Sequence, residues 1–426
     1  MSDVFQASNA NAGWGGPVSG RGRPAPFFPL RPADPAIRPL PFPYRGAVAI
    51  SNDAEYLDFE FFETLMRFLN TRQSTALGPG LGLRVTSSMF FFSARDYNFS
   101  YFAGDRPDAP RSRVADRIDS YLKAGWIDTI HAYGDFDGVG GCSRDHAIAA
   151  FRALEISGAR PEVFSNHGGV DNAQNIGADA AYHRGDVLGD LAYHADLLTE
   201  HGVRYVWTDS LVISETPATG WKAALKRQWA PPDPGLLVPV RLQDGREFIG
   251  FRRFRGTGTY APNLSSLLSQ VRQISWNHLY EQWGAVMLYQ HLGVLQRSAG
   301  ACTPATIESV LRRPEVYLTP FRILQHEQDA GRLWVAGCAE LLRYAEMIRG
   351  VALRRDEKSH DIALEFPLPV PDPQRFFGGL TVMADPRQGV KLTYAGRALT
   401  TTWNGPEGND GRYSVTVTPA RMPGIW

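Results

Sequence analysis

The stretch Ile127–Gly141, IDTIHAYGDFDGVGG, decides how this chain is read. A β-prone apolar run stops abruptly and releases His131, Asp135 and Asp137 among glycines. That is the texture of a buried strand ending in a polar loop. Gly134, Gly138, Gly140 and Gly141 allow the backbone to turn tightly there. His131 and Asp135, four residues apart, can face one point if the chain turns after the strand. Each residue alone has a plainer reading: a hydrogen-bonded histidine at a loop start, or an aspartate forming a turn or capping the next helix.

Working outward, the same alternation repeats. Upstream, AVAIS (47–51) is a short β-prone run. Leu57, Phe61, Leu65, Phe68 and Leu69 then recur at helical spacing. LRVTSSMFFFS is another strand, and Val114, Ile118 and Leu122 predict a helix ending near Gly125. Downstream, Ile148, Phe151 and Leu154 mark a helix, PEVFS a strand, Leu191–Leu198 a helix and RYVW (204–207) a strand. Ser265–Tyr280 is mainly helical, and AVMLY (285–289) is a strand. Strands alternating with helices imply a mostly parallel sheet, so the expected class is α/β. Periodicity does not say whether such a sheet closes. From about residue 360 to 426, runs such as DIALEF, GLTVMA, VKLTY and YSVTVTP predict a small antiparallel β unit. Residues 1 to about 42, rich in Gly, Pro, Ala and Arg without apolar periodicity, are expected to form a disordered tail or a loosely draped arm.

Composition narrows the function classes. Of 426 residues, 43% are hydrophobic and 21% charged, the balance of a globular protein. Lys plus Arg and Asp plus Glu both total 44, so no global field draws the chain to nucleic acid or to an acidic membrane. The local cluster FRRFRG (251–256) can hold an anionic substrate, although a solvated strand edge is the plainer reading. Cys142, Cys302 and Cys338 form neither a metal motif nor a disulfide framework. Nothing resembles a signal peptide or an apolar run of spanning length. The expectation is a cytoplasmic protein without a membrane span; nothing fixes its oligomeric state.

Ligands of parallel α/β folds bind where the strands end, because the loops converge there. Just past the predicted strands stand Asn52 and Asp53, His131 and Asp135, Asn166 and His167, Asp209, and His291. Such a series favours an active site. Asp53, His131 and Asp135 form a one-histidine, two-carboxylate set for one divalent ion, Zn first, with Co, Ni, Mn and Fe also compatible. DFD also matches the Asp-x-Asp of nucleotide-sugar glycosyltransferases, a reading weakened because no basic, glycine-rich nucleotide loop accompanies it.

The order of these features resembles the polysaccharide deacetylase (NodB-homology) superfamily, over about residues 43–350. In ISNDAEY, Asn52 and Asp53 stand where that family has an Asp–Asp pair, a base followed by a ligand. HAYGD retains His131 of a His-x-x-x-His motif, with Asp135 replacing the second histidine. LYQHLG places His291 where the family has a leaving-group acid. The Arg-x-Pro-Tyr motif is not recognisable, and SNHGG occupies its approximate place. The stretches IDTIHAYGDFD, SNHGGVDNAQN and GDVLGDLAYHADLL look like a divergent branch associated with bacterial surface-polysaccharide gene clusters.

The resemblance implies a distorted (β/α) barrel and metal-dependent hydrolysis of a C–N bond, foremost N-deacetylation of an amino sugar or polysaccharide precursor. His291 would be the acid. Asn52 cannot accept a proton, so Asp137 or Asp209 would serve as base and Asn52 would join the substrate contacts. Asn166 and His167, with Asn172 and Asn175, form a donor-rich loop suited to sugar hydroxyls, and Trp207 or Tyr133 can stack on a sugar face. His194 and Asp196, at a predicted helix start, are expected to cap and to orient the preceding RGDVLGD loop rather than to take part in catalysis. The alternative is a saccharide-binding or scaffolding protein that has lost the chemistry, for which Asn52 argues.

Overall fold

The computed structural model describes residues 27–136, 141–168, 172–214, 235–256, 260–298, 301–356, 359–407 and 411–419. Strand β1 (Gly46–Asn52) is buried along its whole length, as a parallel strand covered on both faces must be. Helix α1 (Phe59–Asn70) follows, with Asp58 at its N-cap accepting from the Phe61 amide at 3.0 Å. Its inward face is Phe61, Phe62, Leu65, Met66, Phe68 and Leu69, which takes in four residues of the expected stripe, while Leu57 lies before the helix. Each such side chain contributes roughly 1.5–3 kcal/mol on leaving water.

The alternation continues through β2 (Thr86–Ser93), α2 (Ala115–Lys123), β3 (Ile127–His131), α3 (Arg144–Ser157), β4 (Val163–Ser165), α4 (Ala195–Glu200) and β5 (Tyr205–Trp207). Then come β6 (Glu247–Phe251) and β7 (Arg253–Gly256), separated by Arg252 alone. Helix α5 (Leu264–Gln273), β8 (Gly284–Gln290), β9 (Leu333–Ala336) and α6 (Cys338–Gly350) follow.

Strands β7, β8, β1, β2, β3, β4, β5 and β6 are neighbours in that order, every pair parallel. Because β6 and β7 are nearly continuous, one run of chain pairs with β5 by its first half and β8 by its second. The sheet is therefore curled, with its two flanks bridged by residues 247–256. Strand β1 is forked: Gly46–Ala49 pair with β9, whereas Ser51 and Asn52 pair with β2. Alternate residues serve two cores. Val48 and Ile50 join the cluster containing α1, α2 and α3. Ala47 and Ala49 join a second cluster with α6 and the C-terminal strands.

Two expectations are corrected here. Residues 27–42 are placed, not loose: Phe28–Pro29 pairs with Gly284 and Ala285, and Phe28, Leu30, Ile37 and Leu40 are buried. Within this segment Arg38 is fully buried. Its Nε and Nη2 donate to the two carboxylate oxygens of Glu407 at 2.9 and 2.7 Å, and its Nη1 donates to the carbonyls of Leu40, Pro41 and Tyr44. Residues 1–26 lie outside the described residues. The C-terminal β unit is not purely antiparallel. Thr381–Met383, Arg412–Val417 and Thr401–Glu407 form an antiparallel sheet, but Ile362–Glu365 pairs in parallel with Leu392–Tyr394. Its first strand, Ala352–Arg355, begins directly after α6.

The three cysteines are free, and no helix among the described residues is long and apolar enough to cross a membrane.

Candidate metal centre

All the parallel strands of the curled sheet end on one edge, which collects their following loops. His131 is the last residue of β3. The backbone then turns at Ala132, which has φ +45°. Any side chain at Gly134 would meet the Phe92 carbonyl oxygen at 2.6 Å, so only glycine fits this turn. Gln174 pins it: Oε1 accepts from the Tyr133 amide at 2.8 Å, and Nε2 donates to the Gly134 carbonyl at 2.7 Å. The loop after β4 presents His167, whose own amide is held by Asn175 Oδ1 at 2.9 Å.

Three ligand atoms converge on this edge. Glu55, His131 and His167 each offer one, and these atoms lie within 4.8 Å of one another. His167 Nδ1 is 3.2 Å from His131 Nε2, and Glu55 Oε1 is 3.5 Å from the former and 3.9 Å from the latter. Two nitrogen ligands at about 2.0–2.1 Å from a tetrahedral ion stand about 3.3 Å apart, so the spacing fits a metal. The set of two imidazoles and one carboxylate is one that zinc hydrolases and iron enzymes share.

A carboxylate stands behind each imidazole. Asp53 Oδ1 is 3.9 Å from His131 Nδ1, and Asp135 Oδ1 is 3.7 Å from His167 Nε2. Asn98 donates to the other oxygen of Asp135 at 2.9 Å. Such outer carboxylates orient histidine ligands and fix their tautomers. The group in ligand range thus departs from the expected Asp53–His131–Asp135 set. Only His131 is common to both, the two aspartates stand one layer out, and His167, expected to touch sugar, joins the inner group.

The electrostatics suit ligation. Burial works to raise the Glu55 carboxyl, but the charges of His291 and Arg297, with the imidazoles of His131 and His167 adding to them, hold it well below the usual range. Arg297 is paired directly with Glu55 Oε2. Burial holds His131 below the ordinary imidazole value against the pull of Asp53, which favours the neutral ligand form. Burial also works to raise Asp53, yet Arg253 at 2.8 Å draws it down, with His131 and His291 adding to the effect. His291 points Nε2 at Glu55 Oε1, 3.4 Å away, while its Nδ1 lies 2.6 Å from the Pro262 carbonyl. A carbonyl only accepts, so Nδ1 carries a proton and Nε2 is the atom free to gain or lose one.

The remaining expected residues separate clearly. Asn52 donates from Nδ2 to Ser87 Oγ at 2.8 Å and accepts from the Leu292 amide at 2.6 Å, so both ends of its amide serve the fold. Asn166 likewise clasps Ile176, donating to its carbonyl at 2.9 Å and accepting from its amide at 3.0 Å. Trp207 lies under Arg253. Asp209 opens a 3₁₀ turn after β5 with its side chain 42% exposed, 3.5 Å from His183 Nε2. Tyr133 is packed against Phe151, Phe164 and His194. His194 is the residue preceding α4 but makes no side-chain cap, while Asp196 pairs with Arg144 at 2.7 Å. Asp137 lies outside the described residues.

Sequence reasoning missed Glu55 and Arg297, and reached Arg253 only as part of FRRFRG, where a solvated strand edge was the plainer reading. Glu55 stands two residues beyond Asp53 in ISNDAEY, and extending each strand-end loop by two residues would have included it. No protein-family model and no curated protein matches this chain.

Proposed function

We propose that the chain is a metal-dependent hydrolase of a C–N bond, acting foremost as an N-deacetylase on an amino-sugar or polysaccharide precursor. The observation that carries this reading is the convergence of Glu55, His131 and His167 with an aspartate behind each imidazole. These three residues would hold one divalent ion, zinc first. When bound, the ion would supply a more acidic water and a Lewis acid for the acyl oxygen. His291 Nε2, on the same edge, would pass a proton to the departing amine. Asp209 is the candidate to accept a proton from the attacking water, because Asp53 is committed to Arg253. The curled, parallel-rich sheet with its site at the strand ends supports the resemblance to NodB-type barrels.

A second reading, a saccharide-binding protein without turnover, is favoured by one observation. Asn52, at the family's base position, is a carboxamide bonded at both ends to the protein.

The test combines metal analysis of the purified protein with acetate release from a panel of N-acetyl sugars. Glu55→Gln, His131→Ala and His167→Ala should each lose stoichiometric metal. His291→Ala should keep it and lose turnover by roughly 10²- to 10⁴-fold. Unchanged metal in all three ligand variants would overturn the site assignment. Metal without acetate release from any sugar would leave the binding-protein reading.

A further inference from the structure

Arg253 is fully buried, and its guanidinium group is only half used. Nη1 donates to Asp53 Oδ1 at 2.8 Å and to Ser51 Oγ at 3.2 Å. Nε and Nη2 are buried and have no hydrogen-bond partner among the described residues. These two nitrogens form one side of the guanidinium plane, the side that holds a carboxylate or phosphate through two parallel hydrogen bonds. The group lies 3.4 Å over the Trp207 ring and 4.0 Å over the Tyr289 ring, which restrict its plane. The indole Nε1 of Trp207 is a further buried donor without a partner among the described residues.

This arrangement is costly unless something accepts from it. A buried donor left unsatisfied carries the full desolvation penalty of the group, and a charged one carries more. Elsewhere in the fold the same edge of Arg38 is filled by Glu407. The position relative to the candidate metal centre is close. Asp53 Oδ1 touches Arg253 on one side and faces His131 Nδ1 at 3.9 Å on the other, and the Tyr289 ring packs against His291 at 5.0 Å. FRRFRG is thus not a solvated strand edge, since Arg253, Phe254 and Arg255 are all buried.

We propose that the Nε–Nη2 edge of Arg253 is a receptor for an oxyanion, a carboxylate or a phosphate, borne by the molecule that reaches the metal centre. That this molecule is the substrate rests on the proposed function; the fork itself does not. Recognition would take two parallel N–H···O bonds from the Nε–Nη2 edge of Arg253. The substrate would then be an acidic or phosphorylated saccharide rather than a neutral one.

The experiment uses the full chain stripped of metal by a chelator, titrated calorimetrically at fixed ionic strength with inorganic phosphate, with glucuronate and with glucose. At least one anion should bind with one-to-one stoichiometry, at least tenfold more tightly than glucose. Arg253→Lys, which keeps a cation for Asp53 and loses the fork, should weaken it by tenfold or more. Binding of phosphate alone would identify a phosphorylated substrate, and binding of glucuronate alone a carboxylated one. If the variant does not fold, the wild-type arginine Nε–H signals in a ¹⁵N spectrum decide, one of which should shift on saturation. Failure of both anions to bind, binding unaltered by Arg253→Lys, or an unmoved set of Nε–H signals would overturn the proposal. Because metal is absent throughout, the result is independent of whether Glu55, His131 and His167 hold an ion.

Discussion

Arg38 and Arg253 are both fully buried, and each lies over aromatic rings: Trp283 and Phe42 for the first, Trp207 and Tyr289 for the second. They differ in what they hold. Arg38 spends Nε and both terminal nitrogens on Glu407 and on four backbone carbonyls, tying the segment before β1 to the C-terminal strands. Arg253 spends one nitrogen on Asp53 and Ser51 and keeps a two-donor edge without an acceptor among the described residues. The same side chain, equally buried, is a clasp in one region and a receptor in the other. Burial alone does not separate structural from functional cations; the count of satisfied donors does.

The contrast can be broken most forcefully at the clasp. Arg38→Met strands the Glu407 carboxylate and several carbonyls, and should lower unfolding stability in urea by roughly 3–5 kcal/mol. A loss below about 1 kcal/mol would mean that Arg38 is no clasp. Next in size is one substitution made at both positions. Arg38→Lys gives up the two-bond fork to Glu407 and should cost roughly 2–3 kcal/mol. Arg253→Lys keeps a cation near Asp53 and should cost less than half of that. Equal losses would erase the distinction.

Titration sharpens the comparison further. Burial works to raise Glu407, but its hydrogen bonds and charge contact with Arg38 hold it below the usual range. Its folded pKa is depressed, so the stability it contributes is present above the unfolded value of about 4.5 and is lost as pH falls through the folded value. Glu407→Gln should therefore flatten the stability curve on the acid side of pH 4.5. Asp128, without an arginine clasp, behaves oppositely. Burial pushes its carboxyl up to about 6 despite hydrogen bonds from the Ala339 amide and Thr129. Ionising it costs stability as pH rises from about 4 to about 6, by at most about 1.4 kcal/mol per pH unit. Asp128→Asn should gain stability relative to wild type at pH 7 and show no such gain near pH 3.5. The smallest effect is expected from Ser51→Ala, which removes one of the two acceptors of Arg253 Nη1 and should cost about 1 kcal/mol.

Much of this architecture was legible because parallel strands are apolar along their length. AVAIS, IDTIH, PEVFS, RYVW and AVMLY each announce a strand of the curled sheet, and the residues after them fall on its functional edge. Strand β7 was hidden because the three arginines of FRRFRG read as a solvated strand edge, whereas stacking on Trp207 and the Asp53 carboxylate let Arg253 sit inside. The four-residue β9 is too short to carry a period, and its partner β1 lies far away in sequence. The arm 27–42 buries Phe28, Leu30, Ile37 and Leu40 one at a time along a chain of bends and turns, leaving no helical or strand repeat. Which carboxylates reach the inner group depended on loop geometry that spacing does not encode. Asp53 and Asp135 lie one layer behind the histidines they were expected to join.

The forked pairing of β1 has a consequence for how the chain acquires its shape. Ser51 and Asn52 alone meet a nearby strand, β2, while the rest of β1 waits for residues 284–290 and 333–336. On a ribosome, the first strand of the sheet emerges long before its principal partners exist. Its exposed backbone and the run AVAIS then present an unpaired, apolar edge of the kind that recruits other chains. Closing a loop of that length precedes most of the contacts that reward it, an entropic cost that slows the pairing of β1 with β8 and β9. A chain interrupted before Ala336 would carry β1 with its N-terminal half unpaired on that side, and aggregation would compete with folding from that strand.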